Sequence, residues 1–227
     1  MTPTVVESPT QPLVQFYETP VGKKAVMAVT GVILFGFVIV HMIGNLQIFL
    51  GAEKFNAYAE LLRKAPALLW AARLALVASV VLHVTASVQL WLLKRRARPV
   101  DYLRREAIDS TFASRTMLWS GPIIAAFVIY HLMHFTVGSW HPDFQELQPY
   151  HNAVVGFRSA PVAIFYIVAV AMLGLHLYHG AWSMFQSVGV NHPRYTPLLK
   201  RFAQVASVLL SAGFITVPLA VMFGFIS

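Results

Sequence analysis

Five long apolar runs divide this chain, at about 25–50, 67–93, 117–137, 161–187 and 202–226. Each reaches the roughly 20 residues that an α-helix needs to cross a hydrocarbon core about 30 Å thick. The polar positions gather between the runs in short connections, which make consecutive helices antiparallel neighbours in an up-down bundle. The pattern predicts an all-α integral membrane protein with five transmembrane helices, and no sequence repeat is visible. Residues 1–20, rich in Pro and Thr, read as an N-terminal arm, and 21–227 as one membrane domain. The first run is too long for the apolar region of a signal peptide and has no A-x-A-like site at its end, so it is expected to stay.

Composition agrees with the pattern. The chain is 57% hydrophobic and 11% charged, where a soluble domain carries roughly a quarter charged residues. The net charge of +8 does not call for nucleic acid, because the basic residues cluster between spans. Lys23 and Lys24 precede the first. The second connection, 94–115, holds Lys94, Arg95, Arg96, Arg98, Arg104, Arg105 and Arg115, and the fourth holds Arg194, Lys200 and Arg201. The first connection has Lys54, Arg63 and Lys64 diluted by Glu53 and Glu60, and the third has Arg158. The positive-inside rule then places the N-terminus in the cytoplasm and the C-terminus outside. The basic 94–115 connection is either a headgroup-binding loop or a docking surface for a soluble partner. With no cysteine in the chain, disulfides, thiolate zinc sites and cysteine-ligated clusters are excluded within it.

The histidines carry the candidate chemistry. Six of the nine fall inside the spans: His41, His83, His131, His134, His176 and His179. His141, His151 and His192 lie in connections and are expected to meet water. A polar ring inside a bilayer is costly without a partner, so intramembrane histidines are functional candidates. At 1.5 Å per residue, His41 lies about 25 Å beyond Lys24 and His131 about 24 Å beyond Arg115. His83 is about 16 Å from Lys94, and His176 roughly 18 Å from the end of the fourth span. Depth thus sorts four histidines into two layers, His41 with His131 outside and His83 with His176 towards the cytoplasm. One imidazole from each of two helices is the arrangement that clamps a flat iron macrocycle from both faces. Gly31 and Gly36 before His41, and Gly174 and Gly180 around His176, would let a macrocycle approach, or serve ordinary helix packing. His134 and His179 point about 60° away from their neighbours and are expected to hydrogen-bond to adjacent helices, although contact with a propionate or quinone is open to them.

The residues around these positions resemble the cytochrome b subunit of succinate dehydrogenase or fumarate reductase, in its single-chain, five-helix, di-haem b558-type form. The likeness runs from about residue 15 to the end. It rests on F-V-I-V-H-M-I-G-N at His41, L-H-V-T-A-S at His83, F-V-I-Y-H-L-M-H at His131 and L-G-L-H-L-Y-H-G-A-W-S at His176. The H-x-x-x-G-x-W pattern of His176, Gly180 and Trp182 is the most specific of these, and A-E-K-F-N-A-Y after the first span adds to it. The resemblance implies a four-helix haem-binding bundle plus a fifth helix, with His41, His83, His131 and His176 as axial ligands of two haem b groups. It implies a flavoprotein and an iron–sulfur subunit docked on the cytoplasmic side of a bacterial inner membrane, with a quinone (menaquinone is expected) exchanging electrons in the outer half. Glu60 is a candidate for proton transfer to that quinone, against the plainer reading of a solvated loop glutamate.

Three rival readings follow from the same residues. Another di-haem cytochrome, of the b561-like type or anchoring a hydrogenase or formate dehydrogenase, would use similar ligands with different partners. A haem-free transporter relaying protons through histidines would differ in class, but such folds often carry broken helices or inverted repeats, which this sequence does not show. Pro122 and Pro161 sit near the starts of their spans, where proline is tolerated, while Pro218 interrupts the fifth, which has no histidine. A bare structural anchor would leave four intramembrane histidines without a role.

Overall fold

The computed structural model describes residues 12–97 and 112–227, and every regular element among them is helical. A short α1, Pro12–Glu18, leads into α2, Pro20–Leu46, which ends in a 3₁₀ turn, Gln47–Leu50. Then come α3, Ala52–Arg63, α4, Pro66–Arg96, and α5, Phe112–Leu132, which passes into a π-helical turn, Met133–Val137. The chain closes with α6, Pro149–Arg158, α7, Ala160–Ser187, and α8, Thr196–Met222. Five segments are long and apolar enough to cross a membrane: Pro20–Leu50, Pro66–Arg96, Phe112–Val137, Ala160–Ser187 and Thr196–Met222. Each holds one of the five apolar runs almost entirely, so this is an all-α protein built for multiple membrane passes. Most of the N-terminal arm lies outside the described residues, as do Arg98, Arg104 and Arg105 in the basic connection.

Local chemistry explains where the helices begin. Pro20, Pro66, Pro149, Pro161 and Pro197 each occupy the first or second position of a helix, where a missing N–H costs nothing and φ is already helical. At α2 the Thr19 hydroxyl also accepts the Gly22 N–H at 2.9 Å, satisfying one of the orphan donors of the first turn. Pro122 differs from its expected place. Because α5 is already helical at Phe112, upstream of the apolar run, Pro122 lies in the helix interior, as Pro218 does in α8.

The packing also departs from a plain up-down bundle. α2 lies against α4, α7 and α8, and α7 against α5 and α8, whereas α4 and α5 do not pack closely together. Two connections expected as loops, the first short and the third the long external one from Trp140 to Pro161, carry helices: α3 in the first and α6 in the third. Both lie at the end where α2 and α5 finish, here the loop-rich end. The opposite, basic end carries Lys23, Lys24, Lys94, Arg95, Arg96, Arg194, Lys200 and Arg201.

The main hydrophobic core sits at the loop-rich end. Ile48, Phe55, Val154, Phe157, Tyr166, Val217, Val221 and Ile226 bury against one another there, joining α3 and α6 to α7 and α8. Fully burying a side chain such as Ile48 stabilises by about 1.5–3 kcal/mol. Asn56 ties the two short helices, donating to the Gln148 side chain at 2.6 Å and accepting the Tyr150 N–H at 3.1 Å. Along α4, by contrast, only Ser79 and Ala86 are buried in 31 residues. Leu74, Val77, Val81 and Val88 stand exposed there, a surface suited to lipid and too apolar for water.

Candidate cofactor site

The spans bring the four candidate ligands together in twos. His41 of α2 and His131 of α5 meet with ring centroids 5.8 Å apart, at 83° to each other. His83 of α4 and His176 of α7 meet at 6.4 Å and 58°. These are the pairs that helical rise alone selects. We term them the outer and inner pairs, the inner one nearer the basic end.

The surroundings of the two pairs differ. Aromatic rings set the outer one. Phe37 stacks on His41 at 5.2 Å, and Phe214 of α8 lies 5.8 Å away. Phe127, Phe135 and Tyr166 surround His131 at 5.9, 5.8 and 6.0 Å. His131 Nδ1 is buried with no hydrogen-bond partner among the described residues. Hydroxyls set the inner pair: Thr30 Oγ1 lies 3.1 Å from His83 Nδ1, and Ser120 Oγ lies 3.3 Å from His176 Nδ1. Both hydroxyl residues are buried.

Each arrangement can be tested for fit to a metal macrocycle. An imidazole on either side of one metal, with bonds of about 2 Å, puts the ring centroids roughly 6 Å apart. Both observed separations meet that requirement. The donor chemistry also fits, since neutral imidazole is a common axial ligand of haem iron. Ligating histidines ordinarily donate the other ring N–H to a nearby acceptor, as the inner pair can. Among the described residues no three His, Asp or Glu side chains converge as a bare metal ion would ask.

The glycines divide between two roles. A Cβ on Gly174 would collide with the Ser211 hydroxyl on α8, so this glycine serves ordinary helix packing. A Cβ on Gly31 would make van der Waals contact with His83 at 3.6 Å. Gly36 and Gly180 have nothing within 4 Å of a Cβ, leaving space beside both.

The remaining histidines clarify what the sequence could not order. His134 is buried, its Nδ1 3.0 Å from the Tyr166 hydroxyl on α7, so it reaches a neighbouring helix as expected. It lies in the π turn, where the 60° offset of an α-helix no longer holds. His179, by contrast, has no hydrogen bond to a neighbouring helix among the described residues. Its ring meets Trp182 edge-on at 5.5 Å, and its Nδ1 is buried without a partner among the described residues.

His141 corrects the expectation for connection histidines. It is buried, with Nε2 2.8 Å from the Asn152 carbonyl and Nδ1 accepting the Asp143 N–H at 3.1 Å. His151 and His192 keep to the surface, the former 2.9 Å from an Asp143 carboxylate oxygen. Glu60 is exposed on α3, and its carboxylate has no partner among the described residues. Arg73, a basic residue outside the connections, lies within the apolar part of α4 with its guanidinium 5.1 Å from the Trp70 ring. No family model, characterised protein or solved structure matches the chain.

Proposed function

We propose that this chain is a membrane cytochrome b that holds two haems and passes electrons between a docked partner at its basic end and a quinone near its loop-rich end. The two histidine pairs, each joining two membrane-spanning helices with ring centroids about 6 Å apart, carry the reading. The sequence resemblance supports the further reading of a membrane anchor of a succinate:quinone oxidoreductase in a bacterial inner membrane, with a flavoprotein and an iron–sulfur protein as partners. Succinate or fumarate chemistry would take place on those partners.

Haem iron, when bound, supplies a one-electron carrier at each level. The residues of this chain do the rest. His83 and His176 hold the inner position and His41 and His131 the outer one, while the aromatic rings around the outer pair exclude water. Lys94, Arg95, Arg96, Arg194 and Lys200 give the basic end the charge to engage an acidic partner or lipid headgroups. A unit charge crossing a full 100 mV potential is worth about 2.3 kcal/mol, so passage between the levels spends or gains part of that amount. The test is a pyridine haemochrome spectrum with protein quantified in the same sample. About two b-type haems per chain supports the reading, whereas none, in a folded preparation, defeats it.

A further inference from the structure

The two pairs are held by different chemistry, and the difference has a direction. Thr30 Oγ1 lies 2.7 Å from the Val26 carbonyl oxygen, one turn back on α2. Two oxygens at that distance need a hydrogen between them, and a hydroxyl has only one. Thr30 therefore donates to Val26 and can only accept at His83. The hydrogen in the 3.1 Å contact belongs to His83 Nδ1, which leaves Nε2 with its lone pair free. At His176 distance alone does not fix the direction: Ser120 Oγ lies 3.5 Å from the Met117 carbonyl, too far to claim its hydrogen, and 3.3 Å from His176 Nδ1, where it accepts once Nε2 is the ligating nitrogen. A buried hydroxyl is thus set against each inner imidazole from a helix other than its own: α2 for His83 and α5 for His176.

Among the described residues the outer pair has no such acceptor. His131 Nδ1 is buried without a partner, and the His41 ring lies among those of Phe37, His131 and Phe214. Aromatic packing fixes where a ring lies but does not draw on its N–H.

We infer that Thr30 and Ser120 are positioning residues: Thr30 locks His83 in the Nδ1–H tautomer, Ser120 accepts the same hydrogen from a ligating His176, and together they lower the reduction potential of the inner haem alone. This rests on the di-haem reading and adds residue roles to it. An imidazole whose N–H is bound by an acceptor is a stronger electron donor through its other nitrogen. Stronger donation favours ferric over ferrous iron, so the oxidised state gains. Thr30 has the shorter contacts and carries the larger share.

The test compares Thr30→Val, Thr30→Ser and Ser120→Ala in the purified, haem-quantified membrane complex. Each haem is titrated spectroelectrochemically and its low-spin ferric EPR signal recorded. Thr30→Val should raise the midpoint potential and change the EPR signal of one haem, the same one that His83→Ala removes. Ser120→Ala should do the same to a smaller extent, and Thr30→Ser should restore wild-type values. If Thr30→Val instead loses that haem while Thr30→Ser retains it, the hydroxyl is shown to be needed for positioning. Full haem content with no shift in either variant, or equal shifts in both haems, overturns the inference and leaves the di-haem reading intact. A folded wild-type protein without haem removes the reading and the inference with it.

Discussion

At the scale of single residues, the histidines were legible because an α-helix converts sequence separation into depth. Its rise is fixed, so counting from the basic flanks was enough to group His41 with His131 and His83 with His176. The same count could not find Thr30 or Ser120. Their partners lie 53 and 56 residues away and meet them only through lateral packing of helices, for which the sequence carries no ruler. On the proposed function, His83→Ala or His176→Ala should remove one haem and leave the other, seen as half the wild-type haemochrome per protein. Loss of both signals, or of neither, would show that the pairs do not act as separate sites. His134 should behave differently. Replacing it with Ala deletes a buried ring and strands the Tyr166 hydroxyl, at a cost of about 2–4 kcal/mol. Thermal unfolding in detergent should report that loss while haem content stays at two per chain. A fall to one would make His134 a ligand in place of His131.

At the scale of elements, the sequence placed all five spans but missed what lies between them. α3 and α6 are short, and their apolar faces make sense only against each other and the ends of α7 and α8, where Phe55, Phe157 and Ile226 meet. For the same reason the burial of His141 was hidden: α6 supplies the Asn152 carbonyl that holds it. The π turn at Met133–Val137 was equally out of reach, since no residue in it forces an extra backbone position. It is closed by Gly138 at φ +82°, with Phe144 packed where a side chain would project. Helix–helix contacts give a sharper test. Gly174→Val should push α7 off Ser211 and destabilise the protein by about 1–3 kcal/mol through overpacking. Gly180→Ala, with nothing within 4 Å of its Cβ, should leave stability unchanged or slightly raised, because Ala is the better helix former. Equal melting temperatures for the two variants would mean that the α7–α8 contact is not a tight one.

At the scale of the molecule, everything proposed about direction depends on which way the bundle faces. The two ends differ in charge. Lys23, Lys24, Lys94, Arg95, Arg96, Arg115, Arg194, Lys200 and Arg201 crowd one of them. The other has Lys54, Arg63, Lys64 and Arg158, offset by Glu53, Glu60, Asp143 and Glu146. Translocation disfavours Lys and Arg in short loops, so the basic end should remain in the cytoplasm, with the inner pair nearer to it. Because the chain has no cysteine, single introduced thiols can read this without background. Ala57, exposed on α3, and Val190, exposed beyond α7, are uncharged, so replacing either with Cys leaves the charge balance intact. In intact cells a membrane-impermeant maleimide should label Ala57→Cys and spare Val190→Cys until the membrane is opened. The reverse pattern would set the basic end outside. A cytoplasmic donor would then meet the outer pair first, and the aromatic-lined level, not the hydroxyl-tuned one, would be the point of electron entry.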